Sequence, residues 1–119
     1  MPNKKKKISS AFEPTPWENY FDNLEFMPNG TSIYTAGTKG HVFVALHGAG
    51  FSATSFACIG AEIKKFATIA AFDFRGHGLN KMEGEDDLSS DTLVKDTIEV
   101  LRYLFQKFSD RTFIIIGHR

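Results

Sequence analysis

Thr112-Phe113-Ile114-Ile115-Ile116-Gly117-His118-Arg119 is the stretch that decides the fold of this 119-residue chain. Residues 113–116 form an unbroken apolar run rich in β-branched side chains, which is typical of a strand buried on both faces. The glycine that follows has no side chain, so the backbone can turn sharply where the strand ends. The stretch therefore predicts a buried strand that leads directly into a tight turn.

Two further apolar runs, at residues 41–46 and 67–72, have the same character. Neither alternates between apolar and polar residues, as expected of parallel strands that are covered on both faces. A predicted helix at residues 52–66 lies between these two strands, and a longer one at residues 90–108 precedes the strand at residues 113–116. This alternation predicts an α/β fold, in which a mostly parallel sheet has helices on both faces.

The apolar spacing within each helix predicts which side faces the sheet. In the first helix, the apolar stripe consists of Phe56, Ile59, Ile63 and Phe66. The predicted buried face of the second consists of Leu93, Val94, Thr97, Leu101, Leu104, Phe105 and Phe108. Cys58 is the only cysteine, and we expect a small buried side chain on the first helix.

The chain is short enough for one domain at most. Residues 1–13 are predicted to be a flexible basic tail, and residues 14–119 form the domain. A short docking helix is expected near Trp17, after an extended Pro-Thr-Pro segment. Residues 31–36 predict a further strand, which locally has the pattern of one arm of a hairpin through residues 37–40.

The charge balance excludes several classes of function. Fourteen basic and fourteen acidic residues give no net charge, so neither nucleic acid nor an anionic membrane is an expected partner. No apolar run approaches the ~20 residues that span a bilayer. A single cysteine is compatible with a reducing compartment, so we expect an intracellular, cytoplasmic location, with Lys4-Lys5-Lys6-Lys7 as a candidate nuclear-import sequence.

The stretch Leu46-His47-Gly48-Ala49-Gly50 comes directly after the first apolar strand. Small residues there let backbone N–H groups approach a substrate oxygen closely, which an oxyanion hole requires. Two alternatives remain open from the residues alone. One is a tight strand-to-helix turn, and the other is a dinucleotide-binding loop, with Asp73 at a suitable distance onward but Ala53 where a glycine would be expected.

A second chemistry-bearing loop, Asp73-Phe74-Arg75-Gly76-His77-Gly78, follows the second strand. Arg75 is expected to clamp neighbouring loops by charge-assisted hydrogen bonds, and the glycines allow a sharp exit. The four histidines of the chain lack the close spacing of metal ligands, so no metal and no cofactor is expected.

Together these two loops and the strand ending in Gly117-His118 resemble the α/β-hydrolase fold. More narrowly, the chain resembles the protein phosphatase methylesterase family. The narrower match is carried by Pro14-Thr15-Pro16-Trp17-Glu18-Asn19-Tyr20-Phe21, Leu46-His47-Gly48-Ala49-Gly50-Phe51-Ser52-Ala53 and Asp87-Leu88-Ser89-Ser90-Asp91-Thr92-Leu93-Val94-Lys95-Asp96. The resemblance implies that residues 14–119 form the N-terminal part of an α/β-hydrolase domain, truncated at the nucleophile elbow.

That family removes the methyl ester from the C-terminal leucine of the protein phosphatase 2A catalytic subunit, with a Ser-Asp-His triad. The resemblance implies that N–H groups around Gly48 and Ala49 supply half of the oxyanion hole. It also implies that the strand at residues 31–36 pairs elsewhere in the sheet, not in the hairpin. Gly117 and His118 would begin the elbow, and Arg119 occupies the nucleophile position.

In this fold the acid and the histidine follow the nucleophile in sequence. We therefore expect the 119 residues alone to have no measurable esterase activity. Because the strand at residues 113–116 would have an unpaired apolar edge, we also expect a marginally stable, association-prone product. The alternatives are a non-catalytic phosphatase-binding fragment and another α/β-hydrolase, such as a small-molecule esterase or an epoxide hydrolase.

Overall fold

The computed structural model describes residues 16–84 and 86–117, which form one sheet with helices on both faces. The strands are β1 (Asn23–Phe26), β2 (Ser32–Ala36), β3 (Val42–Leu46), β4 (Thr68–Phe72) and β5 (Phe113–Gly117). The α-helices are α1 (Ala57–Ile63) and α2 (Ser90–Lys107), and single 3-10 turns cover Trp17–Asn19 and Ala53–Phe56. The predicted α/β fold is confirmed, whereas the predicted tail at residues 1–13 lies outside the described residues.

The strand order β1-β2-β4-β3-β5 places β3 at the centre of the parallel part of the sheet. Val44 of β3 lies opposite Ala70 of β4 on one side and Ile115 of β5 on the other, and both pairings are parallel. Because both edges of β3 are occupied, β2 has no place beside it. The predicted hairpin through residues 37–40 is therefore wrong, and the pairing elsewhere that the family resemblance implied is observed: β2 runs antiparallel to β4 and to β1.

Helix α1 covers one face of the sheet together with the aromatic segment that precedes β1. Phe56 and Ile63 pack in a cluster with Phe21, which is 1% exposed. The predicted stripe is only partly correct, because Ile59 and Phe66 are exposed. Gly60 takes the inward position instead, and a Cβ there would already lie 3.2 Å from the Phe21 ring.

The helix, the cysteine and the aromatic segment on this face can each be compared with the sequence-based expectation. The predicted helix over residues 52–66 is divided into a 3-10 turn and a shorter α-helix. The prediction that Cys58 is buried is wrong, since its side chain is exposed. The expected docking helix is a 3-10 turn, from which Trp17 meets the Tyr34 ring edge-on at 5.8 Å between centroids.

Helix α2 covers the opposite face. Val100 and Leu104 are fully buried against Val42 and Val44 of β3. Ser89 caps the helix by accepting a hydrogen bond from the Thr92 N–H, as its position before the first turn predicts. The predicted face was rotated, because Val94 and Phe105 are exposed whereas Asp96, Val100 and Leu104 are the buried residues of the helix.

Strand β5 is an edge strand within the described part of the chain. Its Ile115 is 56% exposed and stands on the α2 side of the sheet, since it lies opposite Val44. The prediction of a strand buried on both faces is therefore wrong for β5, none of whose residues is buried in the described structure. An exposed apolar strand edge offers unpaired backbone groups to another chain, and self-association of the polypeptide stays a prediction. Among the described residues, no helix is both long enough and apolar enough to cross a membrane.

Candidate functional site

The candidate site lies where the three parallel strands end at the same edge of the sheet. Leu46 of β3 is opposite Phe72 of β4 and opposite Gly117 of β5. The loop that starts at His47, the loop that starts at Asp73 and the chain that leaves Gly117 therefore all depart from one edge. His118 and Arg119 lie outside the described residues.

Residues 48–51 form a type II turn beyond β3. The Phe51 N–H donates to the Gly48 carbonyl oxygen at 3.0 Å, and Gly50 at the third position has a φ of 82°. A positive φ there defines the turn type and favours glycine. Gly48 is buried and Ala49 is exposed, so the turn presents its second residue to solvent.

The buried His47 side chain holds this turn in place by hydrogen bonds to two loops. Its Nε2 accepts a hydrogen bond from the Phe74 N–H at 3.0 Å, so its Nδ1 carries the proton and donates to the Gly48 carbonyl at 2.8 Å. Burial lowers the pKa of His47, whose side chain is 4% exposed. His47 is therefore a neutral bridge between the two loops, with both ring nitrogens in use.

His77 makes a second bridge between the same loops. Its Nε2 accepts from the Gly50 N–H at 3.1 Å, and its Nδ1 donates to the Arg75 carbonyl at 2.9 Å. The Gly50 N–H is thus used by the fold. In residues 16–84 and 86–117, the N–H groups of Gly48 and Ala49 are assigned no acceptor, and these are the groups that the family resemblance implied for an oxyanion hole.

Asp73 joins three segments through one buried carboxylate. Oδ1 accepts from the Ala53 N–H at 2.7 Å, and Oδ2 accepts from the Ser32 hydroxyl at 2.5 Å and from the Leu79 N–H at 3.2 Å. A Cβ at Gly78 would overlap this carboxylate, so only glycine fits there. The dinucleotide-binding alternative needs Asp73 free for a ribose, but the side chain is 1% exposed and its oxygens are occupied.

Arg75 clamps the second loop to α2, which agrees with its predicted role. Its Nε and Nη2 donate to the Asp96 carboxylate at 2.7 and 2.9 Å, and its Nη1 donates to the carbonyls of Glu83 and Gly84. The hydrogen bond to Asp96 raises the pKa of Arg75. Gly76 allows the tight bend within this loop, with a φ of 74°.

Sequence reasoning missed the partners of these residues. Ser32 and Asp96 bond Asp73 and Arg75 as described, and the Asn80 side-chain amide donates to the Asp73 carbonyl oxygen at 2.7 Å. None of the three was a candidate for the site. Asp96 had a usable signature, because it lies four residues before Val100 and eight before Leu104, on the same side of α2. Ser32 had none, since a serine at the start of a strand has no special pattern.

Metal-ligating side chains are not gathered at this edge. Within the described ranges, no group of three or more histidine, cysteine, aspartate or glutamate residues is placed to hold a metal ion. The chemistry that the arrangement can offer is instead a pair of backbone N–H donors on a turn fixed from two sides. Such preorganised donors stabilise an oxyanion because they need no rearrangement when the charge develops.

Comparison with known proteins places this geometry in context. No protein-family model matches the chain. Protein phosphatase methylesterase 1 of Bos taurus is 35% identical over 116 residues, which cover 90% of this chain and 30% of that protein. The probable protein phosphatase methylesterase 1 of Caenorhabditis elegans is 32% identical over 120 residues, covering 97% of this chain and 32% of that protein.

A solved structure gives the same fold. The putative epoxide hydrolase from Pseudomonas aeruginosa superposes with a TM-score of 0.68 at 21% identity, over 88% of this chain and 35% of that one. At this identity the likeness shows the fold alone. The chain spans about a third of the length of the curated relatives it matches.

Proposed function

We propose that this chain, which belongs to the α/β-hydrolases and resembles the protein phosphatase methylesterases, forms the oxyanion-hole side of a serine esterase. The substrate we propose is the methyl ester on the C-terminal leucine of the protein phosphatase 2A catalytic subunit. The names of the relatives support a phosphatase as the protein acted on. The choice of subunit and of ester rests on the family resemblance.

One observation carries the proposal: the type II turn at residues 48–51 stands beside the strand that leads to the elbow. Leu46 and Gly117 are opposite each other in the sheet, so the N–H groups of the turn and the residues that follow Gly117 share one edge. Oxyanion stabilisation needs donors about 2.7–3.1 Å from the position that the oxyanion will occupy. A nucleophile supplied after Gly117 in the complete site would bring an ester carbonyl to these donors.

Arg119 stands at the nucleophile position in this sequence, and arginine is a poor nucleophile because its guanidinium remains protonated. We therefore propose that the 119-residue polypeptide alone has no esterase turnover. The activity requires a serine at the elbow, with an acid and a histidine that follow it in the chain. The 119 residues would then contribute positioning and half of the oxyanion hole.

The test uses a chimera in which residues 1–117 replace the matching segment of the Bos taurus relative. Release of methanol from methyl-esterified phosphatase catalytic subunit is measured for the chimera and for the 119-residue chain. We expect turnover from the chimera and none from the chain. A chimera that folds but does not release methanol would contradict the proposal.

Ala49 supplies the decisive variant, because it occupies the second position of a type II turn, where proline is favoured. In the chimera, Ala49→Pro keeps the turn and removes one N–H donor. The kcat for methanol release should therefore fall by about 10²- to 10³-fold, with little change in KM. Ala49→Ser keeps the donor and is the matched control. Equal kcat in the two variants would exclude this N–H from the oxyanion hole. Capture of the phosphatase subunit by the 119-residue chain, with an inactive chimera, would favour a binding function instead.

A further inference from the structure

A concave pocket of about 580 Å³ lies on the α1 side of the molecule, beside the site edge. Its walls come from the aromatic segment before β1, from the start of α1 and from the loop after β4. Trp17, Tyr20 and Tyr34 form the aromatic side, and Ser52, Thr54 and Cys58 lie across from them. The volume is within the range of small-molecule sites, and none of residues 47–50 lines it.

Tyr34 is the feature that points to a ligand. Its side chain is 3% exposed, and its ring is held between Trp17 and Phe21. Among the described residues, no group is assigned a hydrogen bond with its hydroxyl. Because no fully buried side-chain oxygen or nitrogen among the described residues lacks a partner, the Tyr34 hydroxyl oxygen keeps some access to solvent. Tyr34 lines the pocket, so an acceptor on a ligand bound there can take the place of solvent at this hydroxyl.

The lining also selects the charge of a ligand. Among the described residues, the wall contains no lysine, arginine, aspartate, glutamate or histidine. A charged group would lose hydration on entry and gain no counter-charge, so it is disfavoured. Burial raises the pKa of Tyr34 to about 12, so the hydroxyl stays protonated and can donate to an acceptor.

From these observations we propose that the pocket binds an uncharged apolar residue, with its aromatic or aliphatic side chain against Trp17 and Tyr20 and one carbonyl oxygen accepting from the Tyr34 hydroxyl. A capped amino acid and an internal residue of a peptide share this chemistry. Binding is non-covalent and reversible. The proposal does not depend on esterase activity, because it uses none of the groups assigned to the oxyanion hole.

Two natural reporters lie in the wall of this pocket. Trp17 is the only tryptophan of the chain and Cys58 is the only cysteine. Tryptophan emission therefore reports on the pocket alone. The exposed thiol of Cys58 can be alkylated by iodoacetamide, and a bound ligand would shield it.

The experiment titrates N-acetyl-phenylalaninamide and the capped pentapeptide acetyl-Gly-Gly-Phe-Gly-Gly-amide into the 119-residue chain. We expect saturable changes in Trp17 emission, with a dissociation constant on the order of 1 mM for the smaller probe. Saturating probe should slow Cys58 alkylation at least about fivefold. Tighter binding of the pentapeptide identifies a peptide as the source, and equal binding identifies a small molecule.

Tyr34→Phe removes the hydroxyl and leaves the ring packing in place. It should weaken binding about fivefold, as expected for one hydrogen bond. Tyr103→Phe makes the same change on α2, where the hydroxyl donates to Glu25, and should leave affinity unchanged. The proposal is overturned if neither probe affects Trp17 or Cys58, or if N-acetyl-phenylalanine with its free carboxylate binds as tightly. It is also overturned if the emission of Trp17 in the free chain equals that of the urea-denatured chain, since the pocket is then not formed.

Discussion

Replacement of Asp73 by asparagine tests the network that fixes the candidate site. The carboxylate accepts from the Ala53 N–H on one oxygen, and from the Leu79 N–H and the Ser32 hydroxyl on the other. Asparagine keeps one acceptor oxygen and turns the other into an NH2 donor. The Ser32 hydroxyl can rotate to accept, but a backbone N–H cannot. Whichever way the amide is oriented, one backbone donor therefore faces another donor.

The size of the effect follows from these contacts. A hydrogen bond to a charged group contributes about 1.5–3 kcal/mol, and a buried donor without an acceptor costs about 1–3 kcal/mol. The variant weakens all three bonds and orphans one N–H, so we expect the free energy of unfolding to fall by about 3 kcal/mol. With a urea slope of about 1.5 kcal/mol/M, the unfolding midpoint should fall by about 2 M.

The assay is urea unfolding followed by Trp17 emission and by far-ultraviolet circular dichroism. Asp86→Asn is the matched control, because it replaces a carboxylate by an amide in the same way, but at an exposed position. Its midpoint should stay within about 0.3 M of the parent, as is usual for surface substitutions. If Asp73→Asn behaves like this control, the carboxylate does not hold the three segments together and the reasoning is refuted.

Three further predictions concern the same fold. Gly78→Ala should lower the free energy of unfolding by more than about 3 kcal/mol, because the new Cβ would overlap the Asp73 carboxylate. Gly50→Ala should lower it by about 1–2 kcal/mol, because only its positive φ opposes the substitution. Equal urea midpoints for the two variants would contradict this prediction. Burial lowers the pKa of His47, so at acid pH the unfolded chain binds more protons than the folded chain. The contribution of His47 to the free energy of unfolding should be fully present above about pH 6.5 and be lost as the pH falls below it. His47→Gln should make the urea midpoint depend less on pH in this range. Ile115→Lys should reduce self-association in sedimentation velocity without lowering the urea midpoint, and unchanged association would show that the β5 edge is not the contact.

The parallel strands were predictable because each is a short, nearly continuous run of apolar residues, although only β3 and β4 are largely buried. Residues 41–46, 67–72 and 113–116 all correspond to observed strands within a residue or two. Strand β1 was not predicted, since its four residues are exposed or half-buried and show no run of apolar side chains. Its position depends on pairing with β2, which is a tertiary contact that local sequence does not encode.

The buried faces of the helices were less predictable, because the sequence pattern ranks side chains by hydrophobicity, whereas in the structure the space and partners around each position decide which residue is buried. Gly60 lies on the buried side of α1 since Phe21 fills the space above it, and no scale counts glycine as a core residue. Asp96 lies on the buried side of α2 since Arg75 reaches it from another loop. In both cases the deciding partner is distant in sequence.

The site loops could be located from sequence because their chemistry is concentrated in short motifs. What the motifs did not reveal is the division of labour among them. The sequence placed His47 and His77 in structural loops without showing their contacts, and in the structure both ring nitrogens of each are bonded to backbone groups. A histidine held in this way serves geometry, since protonation of its accepting nitrogen would break the contact that fixes it.

Hydrogen bonds of His47, His77 and Asp73 hold the type II turn at residues 48–51, and all three residues precede β5. His47 and His77 join it to the loop after β4, and Asp73 fixes the Ala53 N–H directly beyond it. None of these bonds involves a residue after Gly117. The donors of the turn can be ordered before a nucleophile is added, and preorganisation of this kind is what makes an oxyanion hole effective. Among the described residues, the geometry of the proposed oxyanion donors is thus held by a stretch of the chain that precedes the proposed nucleophile position.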